Sequence, residues 1–453
     1  MRALDAAPVD TTPAEAHPRL SEAAAEAWIP HTCFKNGPPG RIGVELELLV
    51  VDARHPGGSA AHFPRHRYPA LLRDLADGGL DGRLTVEPGG QVELSSRPGP
   101  TLVHTVDAVH RDLSALHHRA ARCGAGLVGI GADPVRPPRR IADHPRYVAM
   151  EQYLDAWGPA ARTMMCATAS VQINVEAGVL NPAACHSGGT RSAPPPPRDV
   201  AARWELLRAV GPALVAAFAN SSMWARRPTG WKSFRQAAWM DLDPSRTDWP
   251  TGHPGEDLAA TWTRCALDAP LMLVRRENGR WIAPRGVTFR DWLRHGRTAV
   301  PDRHPPTTDD LAYHLTTLFP PVRPRGHLEI RFIDAQPGDW WTVPTAVVAA
   351  LLADHAAWQE ARDACGPIQD RWRDAARVGL GDAELFKAAN RVLQAAATAL
   401  GRDPATTSLA GQVQQYLERW TARGRCPADD PPDGSLGGPQ ISRIDDDARE
   451  QSS

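Results

Sequence analysis

In the stretch RIGVELELLVVD (41–52), two glutamates, Glu45 and Glu47, interrupt a run of Ile, Val and Leu. Successive side chains of a β-strand point to opposite faces, so residues two apart share one. Ile42, Val44, Leu46 and Leu48 then line one face, and Gly43, Glu45 and Glu47 the other. Two like charges side by side repel unless something positive stands between them. Solvent, a pair of arginines or a metal ion would each serve. The same alternation recurs three times. In TVEPGGQVELSSRPGP (85–100), Val92 and Leu94 oppose Glu93 and Ser95, and Glu87 precedes a Pro-Gly-Gly turn. In TASVQINVEAG (168–178), Ala169, Val171, Ile173 and Val175 oppose Ser170, Gln172, Asn174 and Glu176. In GHLEIRFID (326–334), Leu328, Ile330 and Phe332 alternate with Glu329 and Arg331.

An antiparallel sheet with one solvated face would also produce this alternation. The identity of the polar residues argues for more. Solvated faces favour Thr, Lys, Arg and mixed charge, whereas here carboxylates stand beside long apolar runs with almost no lysine to neutralise them. Hard divalent cations want several oxygen ligands, and Mg²⁺ pairs carboxylates with substrate phosphates. A face presenting Glu45, Glu47, Glu87, Glu93 and Glu329 would hold roughly two or three such ions. Arg331, beside Glu329, would counter the charge of a transferring phosphoryl group. The chemistry expected is that of a metal–nucleotide complex.

The elements that must position these residues follow from periodicity. The pattern predicts a helix over 20–28, the strand at 41–52, and a helix from Leu102 to Cys123 with Val103, Val106, Val109, Leu113 and Leu116 at helical spacing. A short apolar strand ending in a turn is expected at 126–134, and a strand at 166–178. NPAACHSGGTRSAPPPPRD (181–199) reads as a surface-loop insertion. A long helix is expected at about 200–222, a mixed Trp-rich stretch at 229–310, and the last clear strand at 326–334. TVPTAVVAALLADHAAWQEARDA, DAELFKAANRVLQAAATAL and LAGQVQQYLERWTARG then read as helices. Strands early and helices late indicate an α+β fold. Residues 1–20 read as a disordered leader and 427–453 as a disordered acidic tail, leaving 21–426 as a single catalytic domain.

Bulk composition narrows the class. The 453 residues and 42% hydrophobic content suffice for a sizeable core. A formal net charge of −1 gives no sign of a nucleic-acid or membrane-surface partner. Seven cysteines without a CxxC pair argue against a disulfide framework. The first residues are polar and Pro-broken without an apolar signal region, and no apolar run approaches spanning length, so a cytoplasmic location is expected.

Taken together, GVELE, TVEPGGQVELS, GIGADP, RYVAMEQY, MMCATASVQINVEAG, YHLTTLFPPVRPRGHLEIRFIDAQP and CPADD resemble the glutamate–cysteine ligase family, most closely its actinobacterial branch that starts ergothioneine biosynthesis. The resemblance covers about residues 25 to 430. It implies a glutamine-synthetase-like fold, a curved, mainly antiparallel sheet backed by helices. It implies ATP- and Mg²⁺-dependent joining of the γ-carboxylate of L-glutamate to the amine of L-cysteine through a γ-glutamyl phosphate. By resemblance, Glu45, Glu47, Glu93 and Glu329 fall at metal-binding positions, with Glu87 either joining them or bracing its turn. Arg331 and Arg235 fall near the reacting groups. Gln172, Asn174, Arg146, Tyr147 and Lys232 fall at substrate-binding positions. Other branches carry a histidine where this chain has Gln172, and Phe234 stands where relatives carry a small or polar residue.

Weaker signals point elsewhere. GIGADP lacks the third glycine of a dinucleotide loop. Cys166, on the expected strand, has no His placed to activate it, and HHRAARC (117–123) lacks zinc-ligand spacing. Trp340 and Trp341 are expected to pack the last strand against the C-terminal helices. RRPTGWKSFRQ (226–236), carrying Arg226, Arg227, Lys232 and Arg235, is expected to close over anionic substrates. The rival functions are a ligase acting on a different amine, a nucleotide or amino-acid sensor, and a metal hydrolase, which would usually bring His ligands.

Overall fold

The computed structural model describes residues 19–430 except 38, 55–61, 181–197, 277–279 and 302. Its strands are β1 (Ile42–Asp52), β2 (Arg83–Val86), β3 (Val92–Ser95), β4 (Ala125–Val128), β5 (Ser170–Glu176), β6 (Met223–Trp224), β7 (Arg227–Pro228), β8 (Val322–Pro324) and β9 (His327–Asp334). All except β6 and β7 form one antiparallel sheet in the order β2-β3-β1-β5-β9-β8, with β4 paired to the far end of β1.

Registers bring like faces together across the whole sheet. Leu46 pairs with Leu94 and Val171, and Ile173 with Val44 and Ile330, so the apolar halves of the alternating sequences form one continuous face. Helices Leu102–Arg122, Val200–Phe218 and Thr342–Ala353 contact β1, β9 and β5. Their buried side chains join those strands in one apolar cluster running from Leu20 to Trp420. Each Leu, Ile or Val buried there contributes about 1.5–3 kcal/mol, which fixes the register and so forces every second residue onto the opposite, polar face.

Several expectations need correction. The expected strand 166–178 divides into a helix, Ala160–Ala167, and β5. The run MMCATA is apolar on all sides, and such a run does not distinguish a buried helix from a strand by periodicity. Cys166 therefore lies on a helix, where burial pushes its thiol up to about 12. The first helix spans Glu22–Cys33, capped by Ser21, and the one expected at 200–222 ends at Phe218. TVPTAVVAALLADHAAWQEARDA is two helices, Thr342–Ala353 and His355–Cys365, because Asp354 leaves helical geometry and caps the second by accepting from Ala357 N–H. The leader and tail boundaries also move. Leu20 is buried and its N–H bonds Pro306. At the other end Ala428 N–H bonds Ala219, and Lys232 pairs with Asp429. The insertion at 181–197, residues 1–18 and residues 431–453 lie outside the described residues. Trp340 packs against Tyr416 and Trp420, as expected of that cluster. Among the described residues no helix is long and apolar enough to cross a membrane.

One tight approach governs the polar face. The turn between β2 and β3 presses Gly89 onto the backbone of Cys166, where a Cβ would lie 2.0 Å from the carbonyl oxygen. Backbone cannot yield as a side-chain tip can. Gly89→Ala should therefore lower stability by roughly 2–3 kcal/mol or more, read as a reduced midpoint in urea denaturation. An unchanged midpoint would mean that the turn is free to move away.

Candidate active site

The polar face gathers the acids that the sequence spacing singled out. On it Glu47 of β1 stands directly opposite Glu93 of β3, and Glu45 lies between Ser95 of β3 and Gln172 of β5. Asn174 of β5 faces Glu329 of β9, which in turn faces Arg323 of β8. Glu87 enters from the β2–β3 turn. Its backbone closes the turn by donating to the Gln91 carbonyl at 2.8 Å, while its carboxyl feels Glu93 and Glu47.

Two electrostatic regimes divide this face. Glu45 is pushed up to about 8, first by burial and then by Glu93 and Glu329. Burial likewise raises Glu47, Glu87 and Glu93, and like-charged neighbours add to it at Glu87 and Glu93. Their hydrogen-bond donors are neutral. Gln172 Nε2 donates to Glu47 at 2.9 Å, Asn174 Nδ2 to Glu45 at 3.0 Å, and Thr85 and Ser95 to Glu93 at 2.8 and 3.2 Å.

Glu329 is the opposite case. Burial alone would raise it, but Arg323, Arg331 and Arg325 outweigh that and hold its carboxyl far below the usual range. Arg323 Nη2 donates to its Oε1 at 3.0 Å while Arg323 Nε grips Oε2. Arg331 Nη1 lies 3.3 Å from the same Oε2, and Arg325 Nη1 lies 3.4 Å from Oε1. Glu329 thus spends both oxygens on guanidinium groups. A cation at Glu329 would have to share oxygens that three arginines already hold.

Next to the acids lies a small cleft lined by Arg235, Gln236, Trp239, Phe319, Arg331 and Phe332. Arg235 rides on the helix Phe234–Met240, which Ser233 caps. Its Nη2 donates to the Arg331 carbonyl at 2.8 Å, while its Nε and Nη1 are buried without a hydrogen-bond acceptor. Asp334, 3.8 Å from Arg235 Nη1, accepts from Ser221 Oγ, Ser233 Oγ and Asn220 N–H, and so ties the Arg235 segment to β9. Arg331 lies over Trp239 and Phe319, 5.9 and 5.7 Å from the ring centroids. Unsatisfied guanidinium donors beside a second guanidinium would suit an anion here.

A hard divalent cation suits the acid side. Its donors are all oxygen, and among the described residues its carboxylates have no cationic partner at hydrogen-bond distance and Asn174 Oδ1 is buried without a donor. Among the described residues, no three His, Cys, Asp or Glu side chains converge closely enough to hold one ion. Glu47 leans to Gln172 on β5 while Glu93 leans to Thr85 on β2, so the two carboxylates diverge from adjacent strands.

Other expected contacts serve elsewhere. Arg146 donates to Thr316 Oγ1 at 2.9 Å and to the Thr316 carbonyl at 3.0 Å, within electrostatic reach of Glu87. Tyr147 donates to the Val86 carbonyl at 3.3 Å. Lys232 pairs with Asp429, which ties the basic stretch to the chain's later segment. Phe234 packs on Trp224, 5.3 Å between centroids. Sequence reasoning missed Arg323, Arg325, Asp334 and Thr85. Arg323 had a signal, since the RPRG turn of a hairpin puts it opposite Glu329.

Comparison with known proteins bears on all of this. Residues 41–433 match Glutamate-cysteine ligase family 2 (GCS2). Over 430 residues the chain is 38% identical to the glutamate–cysteine ligase EgtA of Mycobacterium tuberculosis (strain CDC 1551 / Oshkosh), covering 94% of this chain and 92% of the relative. It is 39% identical over 428 residues to EgtA of Mycolicibacterium smegmatis, with the same coverage. In three dimensions it resembles a glutamate–cysteine ligase of Francisella tularensis solved with AMP, at a TM-score of 0.50 and 11% identity, over 87% of this chain and 84% of that one.

The two regimes predict opposite responses to neutralisation. A carboxyl raised to about 8 in the folded protein contributes stability below its unfolded value, and loses it as pH rises through 8. Without divalent cation, Glu45→Gln should therefore melt higher than wild type at pH 9 and differ little at pH 5. Curves that run parallel across this range would refute the assignment. Glu329→Gln should instead melt lower at every pH above 5, by about 3 kcal/mol or more, because it leaves buried arginines unpaired.

Proposed function

The chain belongs to glutamate-cysteine ligase family 2, and on that premise we propose how its polar face ligates L-glutamate to L-cysteine with ATP to give γ-glutamylcysteine, for ergothioneine assembly. The observation carrying this reading is the division of one sheet face into uncompensated carboxylates and an arginine cleft. A polyphosphate with its cations suits the first, and the anionic substrate being activated suits the second.

A carboxylate is a poor electrophile, so amide formation must begin by activating it. The γ-carboxylate oxygen of glutamate attacks the terminal phosphorus of ATP, the bond to the bridging oxygen breaks, and ADP leaves. The cysteine amine, its ammonium proton given up to solvent, then attacks the acyl carbon of the γ-glutamyl phosphate, and its second proton leaves with the departing phosphate. The amide forms as phosphate departs.

Mg²⁺, in two or three copies held by Glu45, Glu47, Glu87 and Glu93, would neutralise the polyphosphate and align its terminal group. Glu329 would join them only by giving up an arginine. Arg331 offers its guanidinium to the phosphoryl group in flight, backed by the aromatic rings of Trp239 and Phe319, and Arg235 offers its free Nε–H and Nη1–H to a substrate carboxylate. Asn174 turns its carbonyl oxygen to the cation side. Holding these partners together in a water-poor cleft supplies the proximity that a three-substrate reaction needs.

The test is an ADP-release assay with glutamate, cysteine, ATP and Mg²⁺, each omitted in turn, and with a panel of amines replacing cysteine. Full dependence on all four and a preference for cysteine are expected. ATP binding without amine-dependent phosphate release would identify a sensor, and preference for another amine would name a different ligase. Glu47→Gln should lose most turnover at low Mg²⁺. Arg331→Ala should reduce kcat roughly 10²–10³-fold while remaining folded by circular dichroism.

A further inference from the structure

Gln172 joins the two regimes of the polar face. Its side chain is buried, 3% exposed, and both ends of its amide are engaged. Nε2 donates to Glu47 Oε1 at 2.9 Å, and Oε1 accepts from Arg331 Nη1 at 2.7 Å. The orientation is dictated by charge, because the flipped amide would aim its carbonyl at a carboxylate and its N–H at a guanidinium. The pairing of β5 with β9 is irregular at this point. Val171 pairs with Ile333 and Ile173 with Ile330, so Gln172 alone faces Arg331 and Phe332. Such a bulge re-aims a side chain and needs something to fix the new direction. Here the amide of Gln172 does so for Arg331.

We infer that Gln172 is a positioning residue that holds the Glu47 carboxylate and the Arg331 guanidinium at a set separation, so that cation binding on one side orders the arginine on the other. It need not touch substrate, and its oxygen is already committed to Arg331. Asn174, whose Oδ1 has no donor, is the amide left for a cation. This inference rests on the ligase reading for its effect on catalysis, and on geometry alone for its effect on cation binding.

The test uses the full chain with Gln172→Met, which fills a similar space without hydrogen bonds, together with Arg331→Lys and the double variant. Partners that orient a metal ligand typically matter 10–100-fold for affinity or activity. Calorimetric titration with Mg²⁺ alone should show at least tenfold weaker binding in Gln172→Met. In the ligation assay kcat should fall by the same order while KM for glutamate stays within threefold. The double variant should lose little beyond Arg331→Lys, because the amide acts through that arginine. Unchanged Mg²⁺ affinity, or losses that multiply in the double variant, would overturn the inference. If Gln172→Met does not fold, Gln172→Asn keeps an amide too short to span both partners and carries the same expectations. Should wild type bind Mg²⁺ yet not ligate, the ligase reading fails while the calorimetric comparison still decides the brace.

Discussion

Burying several carboxylates on one face of a sheet is the constraint to which the rest of the structure answers. Each loses hydration, and each feels its neighbours through a medium that screens poorly. The protein resolves this in two ways on the same surface. At Glu329 it supplies arginines from both strands of a tight hairpin, and the carboxyl stays ionised. At Glu45, Glu47, Glu87 and Glu93 it supplies mainly neutral donors, so the charged forms remain costly until something positive arrives. The first solution builds structure. The second stores an affinity for cations.

That arrangement is held from behind. Leu46, Val171, Ile173 and Ile330 pack into the helical layer and fix strand register. A slip of one residue would exchange leucines for glutamates at every strand, so the apolar face specifies the polar one. Where the site needs a side chain that strict alternation would not deliver, the sheet departs from regularity. The bulge in β9 keeps Glu329 and Arg331 on the polar face and returns Asp334 to it three residues later, opposite Ser170. Asp334 then anchors Asn220, Ser221 and Ser233, which carry Arg235 into the cleft.

The legible part of this was the part that obeys a period of two. Glu45, Glu47, Glu93 and Glu329 could be assigned to one face from spacing alone, as could the apolar set behind them. Glu87 was read beside them from its place before a Pro-Gly-Gly turn, and family resemblance added Arg235, which rides on a short helix that no periodicity announces. What stayed hidden depends on long-range partners. Nothing local to Glu329 says that its charge is already met by Arg323, Arg325 and Arg331, and nothing local to Lys232 says that Asp429, almost two hundred residues later, takes its charge. The MMCATA run misled for a different reason, since uniform apolarity suits a buried helix as well as a strand.

The order of charge across the sheet also gives the reaction a direction. Moving from β3 through β1 and β5 to β9 and β8, the face passes from uncompensated acids, through the amides of Gln172 and Asn174, to arginines. On the proposed reading, a polyphosphate lying across this gradient would keep its cations toward β1 and β3, because Arg323 and Arg331 would repel them at the other end, and would present its terminal phosphorus toward the arginines. The two amides form the border. An amide can donate to a carboxylate on one side and accept from a guanidinium on the other without a change of protonation, so a neutral residue at position 172 suits such a boundary.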